Sequence, residues 1–239
     1  MLKTAVVTGA SRGIGKAVAE TLAADGYTVI VNYSSSREKA EKIASDIGGE
    51  AFQADVSDRK QTEKMFTYVY EKYGHIDLLV NNAGISVYGL FNDISEEDEN
   101  RIIDVNIKGM INCSRKALEY MIKRKYGRII NISSMWGETG ASCEVHYSMT
   151  KAAVIGFTKA LAKEVGMSGI QVNCVSPGMI LTDMTSGFSD DEIQAIKDET
   201  PLQTIGVPQN IADAVSFLAS HKADFITGQV ISVNGGFVI

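Results

Sequence analysis

Apolar residues in this 239-residue chain gather in short runs at 4–8, 28–33, 51–55, 78–80, 128–132, 171–175 and 230–233. Most of these runs are nearly continuous rather than alternating. That is the pattern of parallel strands covered on both faces. Between them, segments near 13–24, 37–47, 58–73, 95–124, 146–165 and 208–219 repeat apolar positions at helical spacing. Each gap is long enough for a crossover helix, so the pattern predicts an α/β fold with a doubly wound parallel sheet of about seven strands. No linker, charge block or repeat divides the chain, which predicts one domain over 1–239. The stretch 179–200, after Pro177-Gly178, is the least regular. Placed beyond a strand's carboxyl end, it is expected to act as a substrate lid.

Composition narrows the class. Hydrophobic residues make up 45% of the chain and prolines number only 3, which excludes a disordered chain. With 23 Lys and Arg against 29 Asp and Glu, the net charge is −6. That balance argues against a nucleic-acid partner, which needs a basic surface. No apolar run approaches the roughly 18–20 residues that span a bilayer, and the stretch from Met1 to Thr8 is too short for a signal peptide. Cys113, Cys143 and Cys174 stand far apart, so no disulfide framework and no metal site is expected. These bounds predict a cytoplasmic protein without a membrane partner. His75 and His221 read as surface positions near helix ends.

The first turn is suited to a phosphate. Thr8-Gly9-Ala10-Ser11-Arg12-Gly13-Ile14-Gly15 follows the first strand and opens the first helix. Glycines let a pyrophosphate approach the backbone, and the helix N-terminus offers free N–H groups. At the end of the second strand, Asn32-Tyr33-Ser34-Ser35-Ser36-Arg37 contains no acid to hold ribose hydroxyls. Hydroxyls together with Arg12 and Arg37 suit a 2′-phosphate, and hence NADP. Capping of the following helix by Ser34–Ser36 is compatible with the same residues.

In the second half, Tyr147 and Lys151 stand four apart in a helical segment and so share a face. A neighbouring ammonium is expected to lower the phenol's pKa and make Tyr147 a proton donor to a carbonyl oxygen. Ser134 ends a strand 13 residues earlier, where its hydroxyl can bond the same oxygen. His146 is expected to pack or sit at the rim, since adjacent helical residues point about 100° apart.

Taken together, Thr8-Gly9-x-x-x-Gly13-Ile14-Gly15, Asp55, Asn81-Asn82-Ala83-Gly84, Asn106, Ser134, Tyr147-x-x-x-Lys151 and Pro177-Gly178 resemble the short-chain dehydrogenase/reductase family over essentially the whole length. The resemblance implies a Rossmann fold and a catalytic set of Asn106, Ser134, Tyr147 and Lys151. Ser134 would orient the carbonyl, Tyr147 would be the acid and Lys151 would bind the nicotinamide ribose. Asn106 would hold a water of a proton relay behind Lys151. The cofactor NADP (NADPH) would be held by Gly9, Ser11, Arg12, Gly13, Ile14, Gly15, Asn32, Tyr33 and Ser34. Asp55 and Val56 would touch the adenine, and Asn82, Ala83 and Gly84 would line the channel with Tyr147 and Lys151. Pro177, Gly178, Ile180 and Thr182 would complete the site, Thr182 at the carboxamide. A homotetramer is also implied.

Leu79-Val80-Asn81-Asn82-Ala83-Gly84-Ile85, Gly127–Ser134 and the ending Val233-Asn234-Gly235-Gly236 are similar to the 3-oxoacyl-[acyl-carrier-protein] reductases. The expected reaction is NADPH-dependent reduction of a ketone, carrier-bound or small, to a secondary alcohol. Lys123-Arg124-Lys125 fits a basic docking patch for an acidic carrier, whereas Ser168 replaces a basic residue usual in those reductases. Trp136, Cys143 and Glu144, in the loop between Ser134 and Tyr147, resemble the aminopentanone reductases that modify elongation factor P. Trp136 and Glu144 are therefore expected at the substrate, where a carboxylate suits an amine-bearing ketone. A non-catalytic dinucleotide-binding regulator is the alternative of another class; the complete Asn106, Ser134, Tyr147 and Lys151 set argues against it.

Overall fold

The computed structural model describes residues 3–183, 187 and 189–239. Among them, seven strands form one sheet in the order β3-β2-β1-β4-β5-β6-β7, every neighbouring pair parallel. The strands are β1 (Lys3–Val7), β2 (Tyr27–Tyr33), β3 (Glu50–Gln53), β4 (Leu78–Asn81), β5 (Gly127–Ile132), β6 (Ile170–Pro177) and β7 (Val230–Val233). Strand order reverses between β1 and β4, and the crevice outside their carboxyl ends is where such sheets bind ligands.

Successive strand residues face opposite sides, so the apolar runs feed two cores. Val7, Val29, Val31 and Val80 pack with Leu22 of α1 (Gly13–Ala24), Ile43 of α2 (Arg37–Asp46) and Ile211, Val215 and Leu218 of α9 (Pro208–Ala219). Val6, Ile30, Leu79 and Ile129 pack on the other side. Their partners are Phe66 of α3 (Arg59–Tyr73), Met121 of α5 (Gly109–Arg124) and Leu161 of α7 (Val145–Val165). Leu22 and Phe66 are fully buried, each contributing about 1.5–3 kcal/mol by burial.

The predicted helix over 95–124 is in fact three pieces: α4 (Glu96–Ile103), a π-helical turn (Asp104–Lys108) and α5. The Gly109 amide bonds back five residues to the Asp104 carbonyl. A Cβ at Gly109 would meet Val56 Cγ2 at 2.6 Å, so the helix approaches the loop after β3 through a glycine. The widened turn carries Asn106, in keeping with π turns at functional sites. The third strand ends at Gln53 rather than at residue 55.

Within the expected lid of 179–200, residues 184–186 and 188 lie outside the described residues, as do Met1 and Leu2 at the N-terminus. The rest of the lid contains α8 (Asp190–Glu199), opened by a capping box in which Ser189 and Glu192 exchange hydrogen bonds. The short α6 (Trp136–Thr139) follows β5. His75 corrects the surface expectation. It is buried, because Gly74 ends α3 in a left-handed conformation and turns the chain inward, leaving His75 Nε2 3.3 Å from Asp77 Oδ2. No described helix is long and apolar enough to cross a membrane.

Candidate active site

The loops after β1, β2 and β4 are joined by their own polar groups. Thr8 Oγ1 donates to the Val80 carbonyl and accepts the amides of Asn82 and Ala83, both at 3.0 Å. Asn82 Nδ2 donates back to the carbonyls of Thr8 and Gly9, at 2.9 and 3.1 Å. Gly9 adopts φ +63°, and a Cβ there would lie 2.9 Å from Ala83 Cα. A Cβ at Gly15 would lie 2.4 Å from the Gly9 carbonyl oxygen. No side chain caps α1, so its first amides point into the cradle that Gly9, Gly13 and Gly15 leave open. That donor set fits the pyrophosphate of a dinucleotide.

The remaining expected cofactor residues lie at or just beyond the carboxyl ends of β1, β2, β3 and β6. Ser11 and Ile14 are half-buried on the turn, and Arg12 reaches Asp183 at 3.8 Å. Thr182 lies over the turn, 3.4 Å from where a Gly13 Cβ would be. Ser34 is exposed at the end of β2, while Tyr33 is buried. Arg37 faces Gln53 and Glu41. Asn32 is buried with its amide turned inward. It accepts from the Gly9 amide and donates to the carbonyls of Phe52 and Ala54, so its side chain braces the turn. Asp55 accepts from Ser57 and from Arg101 of α4. Burial pushes its carboxyl up, but these bonds outweigh that and hold it below the usual carboxylate value. Val56 is buried beside Gly109. On the far side, Gly178 donates to the Val233 carbonyl, and a Cβ there would meet Asn234 Cα at 2.6 Å. Pro177 accepts the Met135 amide, and Ile180 is buried and bridges to Gly206.

The expected catalytic residues converge where β4, β5 and α7 meet. Ser134 ends the stretch after β5 and hydrogen-bonds the Tyr147 phenol; its Oγ also accepts the Trp136 amide at 3.2 Å. Lys151 is buried one turn on, its Nζ donating to the Ile132 carbonyl at 3.0 Å and lying 5.6 Å from the Tyr147 ring centre. Asn106 closes the group. Its Nδ2 donates to the Ile85 carbonyl and to Thr150 Oγ1, and its Oδ1 accepts the Ile85 amide. Gly84 sits among them, its missing Cβ 3.3 Å from Asn106 Oδ1 and 3.5 Å from Lys151 Nζ.

The electrostatics differ from the sequence expectation. Burial pushes the Tyr147 phenol up to about 12, with Ser134 lowering it and the Glu144 carboxylate raising it. Lys151 does not pull it down, because its ammonium is turned to the Ile132 carbonyl and burial brings Lys151 itself down to about 8. The site therefore holds a firmly protonated phenol beside an easily deprotonated lysine.

The pocket mouth is made by two loops. Gly89 donates to the Cys143 carbonyl, and Ser86 Oγ donates to Glu144 Oε1, each at 2.9 Å. Cys143 has φ +61°. The loop 85–91 was missed as a wall of the site; its place directly after Asn82-Ala83-Gly84 was the available signal. Trp136 is only half-buried and packs edge-on against Phe237, with ring centres 5.8 Å apart. His146 is buried, stacks on Phe91 and lies 3.7 Å from Glu99 Oε2. In the basic triplet, Arg124 pairs with Asp77 at 2.9 Å and Lys123 lies over the Tyr120 ring.

Residues 9–238 match a family model described as enoyl-(acyl carrier protein) reductase. The chain is 45% identical to the 3-oxoacyl-[acyl-carrier-protein] reductase FabG of Staphylococcus aureus over 241 residues, covering 99% of this chain and 98% of that one. The chain belongs to the short-chain dehydrogenase/reductase family. Other relatives of the short-chain dehydrogenase/reductase chain include FabG of Escherichia coli, 43% identical with 98% and 96% covered, and the uncharacterized oxidoreductase YmfI of Bacillus subtilis, 44% identical with 99% of each covered. As a short-chain dehydrogenase/reductase it is an oxidoreductase that uses a nicotinamide dinucleotide.

Proposed function

We propose that the protein reduces a 3-oxoacyl group carried on acyl carrier protein to the 3-hydroxyacyl form, using NADPH. The carrying observation is the convergence of Ser134, Tyr147 and Lys151 at the open end of a glycine cradle; the FabG relatives' names supply the substrate class. NADPH is supported by the exposed Ser34 at a β2 end without an acid and by the exposed Arg12 on the turn after β1. In this reading Gly9, Ser11, Gly13, Ile14 and Gly15 hold the pyrophosphate, and Tyr33 and Asp55 through Val56 border the adenosine. Asn82 through Gly84, Pro177, Gly178, Ile180 and Thr182 border the nicotinamide half. Asn32 contributes by holding the turn. When bound, the nicotinamide supplies the hydride.

The chain's residues do the rest. Ser134 Oγ–H and the Tyr147 phenol hold the substrate's carbonyl oxygen, stabilising charge as it develops there. Tyr147 gives that oxygen its proton, which a phenol held at about 12 retains until an alkoxide takes it. Lys151, near 8, carries a proton it can give up to replace the one Tyr147 loses once its ammonium leaves the Ile132 carbonyl, and Asn106 fixes the Ile85 loop. The same reading takes the chain as one domain with a lid over 179–200, acting as a cytoplasmic homotetramer.

A second reading is favoured by one observation: Glu144 places a carboxylate at the mouth, aimed by Ser86. That charge favours a ketone carrying an amine, such as the aminopentanone group of elongation factor P, over an anionic one. NADPH oxidation measured with acetoacetyl-acyl carrier protein tests the first reading, which expects turnover with the carrier substrate. Negligible turnover by protein that still binds NADPH would transfer the assignment to the amine-bearing ketone.

A further inference from the structure

Beneath the floor of the site lies a narrow cavity with about 10 Å³ of room for a water's centre, bordered by Thr8, Asn81, Asn106, Lys151 and Val154. A single water needs about this much space and two or more polar partners. Most polar side chains on the wall are already committed. Thr8 Oγ1 makes three hydrogen bonds. The Asn106 amide has both donors and its oxygen engaged. Asn81 differs: it is buried, and its Oδ1 has no partner.

A chain of hydrogen bonds in the core fixes which way Asn81 faces. Thr158 Oγ1 donates its one hydrogen to the Val154 carbonyl at 2.8 Å, since a carbonyl can only accept. Thr158 can therefore only accept from Asn131, whose Nδ2 lies 2.9 Å away. That orients Asn131 so that its Oδ1 accepts from Asn81 Nδ2 at 2.8 Å. The second Asn81 donor goes to Ser114 Oγ at 3.0 Å. With both donors used, Asn81 Oδ1 is the acceptor left over. Leaving such an atom buried and unbonded is unfavourable, because it has lost its water without gaining a partner.

Resting on the catalytic assignment of Lys151 above, we propose that Asn81 Oδ1 holds a buried water against Lys151 Nζ, making Asn81 a positioning residue for the ammonium. The water accepts from the ammonium and donates to Asn81. It thus stabilises the charged lysine and fixes where its ammonium points. The other groups facing Lys151 are the Tyr147 phenol on its own helix, the Ile132 carbonyl of β5 and Cys174 of β6. Among the described residues, no carboxylate contributes to holding its charge.

The test uses the full chain without cofactor. A high-resolution crystal structure is expected to show an ordered water within hydrogen-bond distance of both Asn81 Oδ1 and Lys151 Nζ; a cavity without that water overturns the proposal. The pKa of Lys151, followed by NMR in protein with ¹⁵N-labelled lysine, is expected to fall by about one unit in Asn81→Leu, the scale of one hydrogen bond to a charge. Thr158 does not itself line the cavity, but Thr158→Val frees Asn131 and Asn81 to rotate, so it should move the pKa in the same direction by less. Ser114→Ala leaves Oδ1 in place and should move it by less than about 0.2 units, well under the worth of a hydrogen bond. If Asn81→Leu does not fold, Thr158→Val decides, and an unmoved Lys151 there refutes the role. A wild type that holds the water yet reduces no ketone defeats the proposed function and leaves this inference standing. Ketone reduction with a Lys151 pKa indifferent to these changes does the reverse.

Discussion

The glycine cradle after β1 and the catalytic corner at the start of α7 lie at the same carboxyl end of the sheet but work differently. In the cradle, side chains such as Asn32, Thr8 and Asn82 turn inward to brace the loop, and the groups left for a ligand are backbone amides. At the corner the groups that would meet a ligand are three side-chain heads: Ser134, Tyr147 and Lys151. Binding in the first region is a matter of shape, so added atoms harm it. Chemistry in the second rests on particular atoms, so their deletion harms it with little change in shape.

That contrast can be broken or sharpened in several ways. The largest loss of binding is expected from Gly15→Ala, since its Cβ would lie 2.4 Å from the Gly9 oxygen and 2.5 Å from Asn82 Nδ2. Overpacking of that kind costs about 1–3 kcal/mol, so thermal unfolding should shift down and NADPH affinity should fall at least roughly tenfold. A variant that binds NADPH normally would show that the cradle is not shaped by close approach.

The pH dependence should report the corner. Reduction needs Lys151 protonated, and with its pKa brought down to about 8 the charged form is lost above that pH. The kcat/KM for reduction should therefore be level below about 8 and fall about tenfold per unit above it, while Tyr147, near 12, adds no break in that range. The same lysine binds its proton less well folded than unfolded. Its contribution to stability therefore rises as pH climbs from about 8 to the ordinary lysine value of 10.5. A profile flat to pH 10 would remove Lys151 from the mechanism.

Arg12→Ala should reduce the preference for NADPH over NADH by roughly tenfold, the scale of one charge-assisted bond, as read from the two kcat/KM values. Unchanged discrimination would leave the 2′-phosphate to Ser34 or Arg37. The smallest effect is expected from Glu144→Gln: less than about threefold, or under 0.7 kcal/mol, on a neutral ketone, with a selective loss on an amine-bearing one. Equal losses on both would make Glu144 only a partner for Ser86.

Much of this arrangement was legible in the chain because the signals are local. Continuous apolar runs such as Leu78–Val80 marked buried parallel strands, and the Gly9, Gly13 and Gly15 spacing marked the turn. Tyr147 and Lys151 fell on one helix face by periodicity. Features set by distant contacts were not legible. The π turn at Asn106 arises where α5 presses on Val56. His75 is drawn inward to Asp77, and Asn32 turns away from the ligand side to reach Phe52 and Ala54. The pKa order at the corner also escaped, because the spacing of Tyr147 and Lys151 says nothing of how deeply each is buried. In contrast, α8 was readable but missed: Ser189-Asp190-Asp191-Glu192 is a capping box in plain sequence.

The most direct test of the division between cradle and corner is to measure two quantities on Tyr147→Phe: the NADPH dissociation constant by fluorescence titration, and turnover of acetoacetyl-acyl carrier protein. The account predicts a dissociation constant within about threefold of wild type and turnover lowered by about 10²–10⁴, the worth of a positioned general acid. Turnover that survives the loss of the phenol, with binding intact, would contradict it.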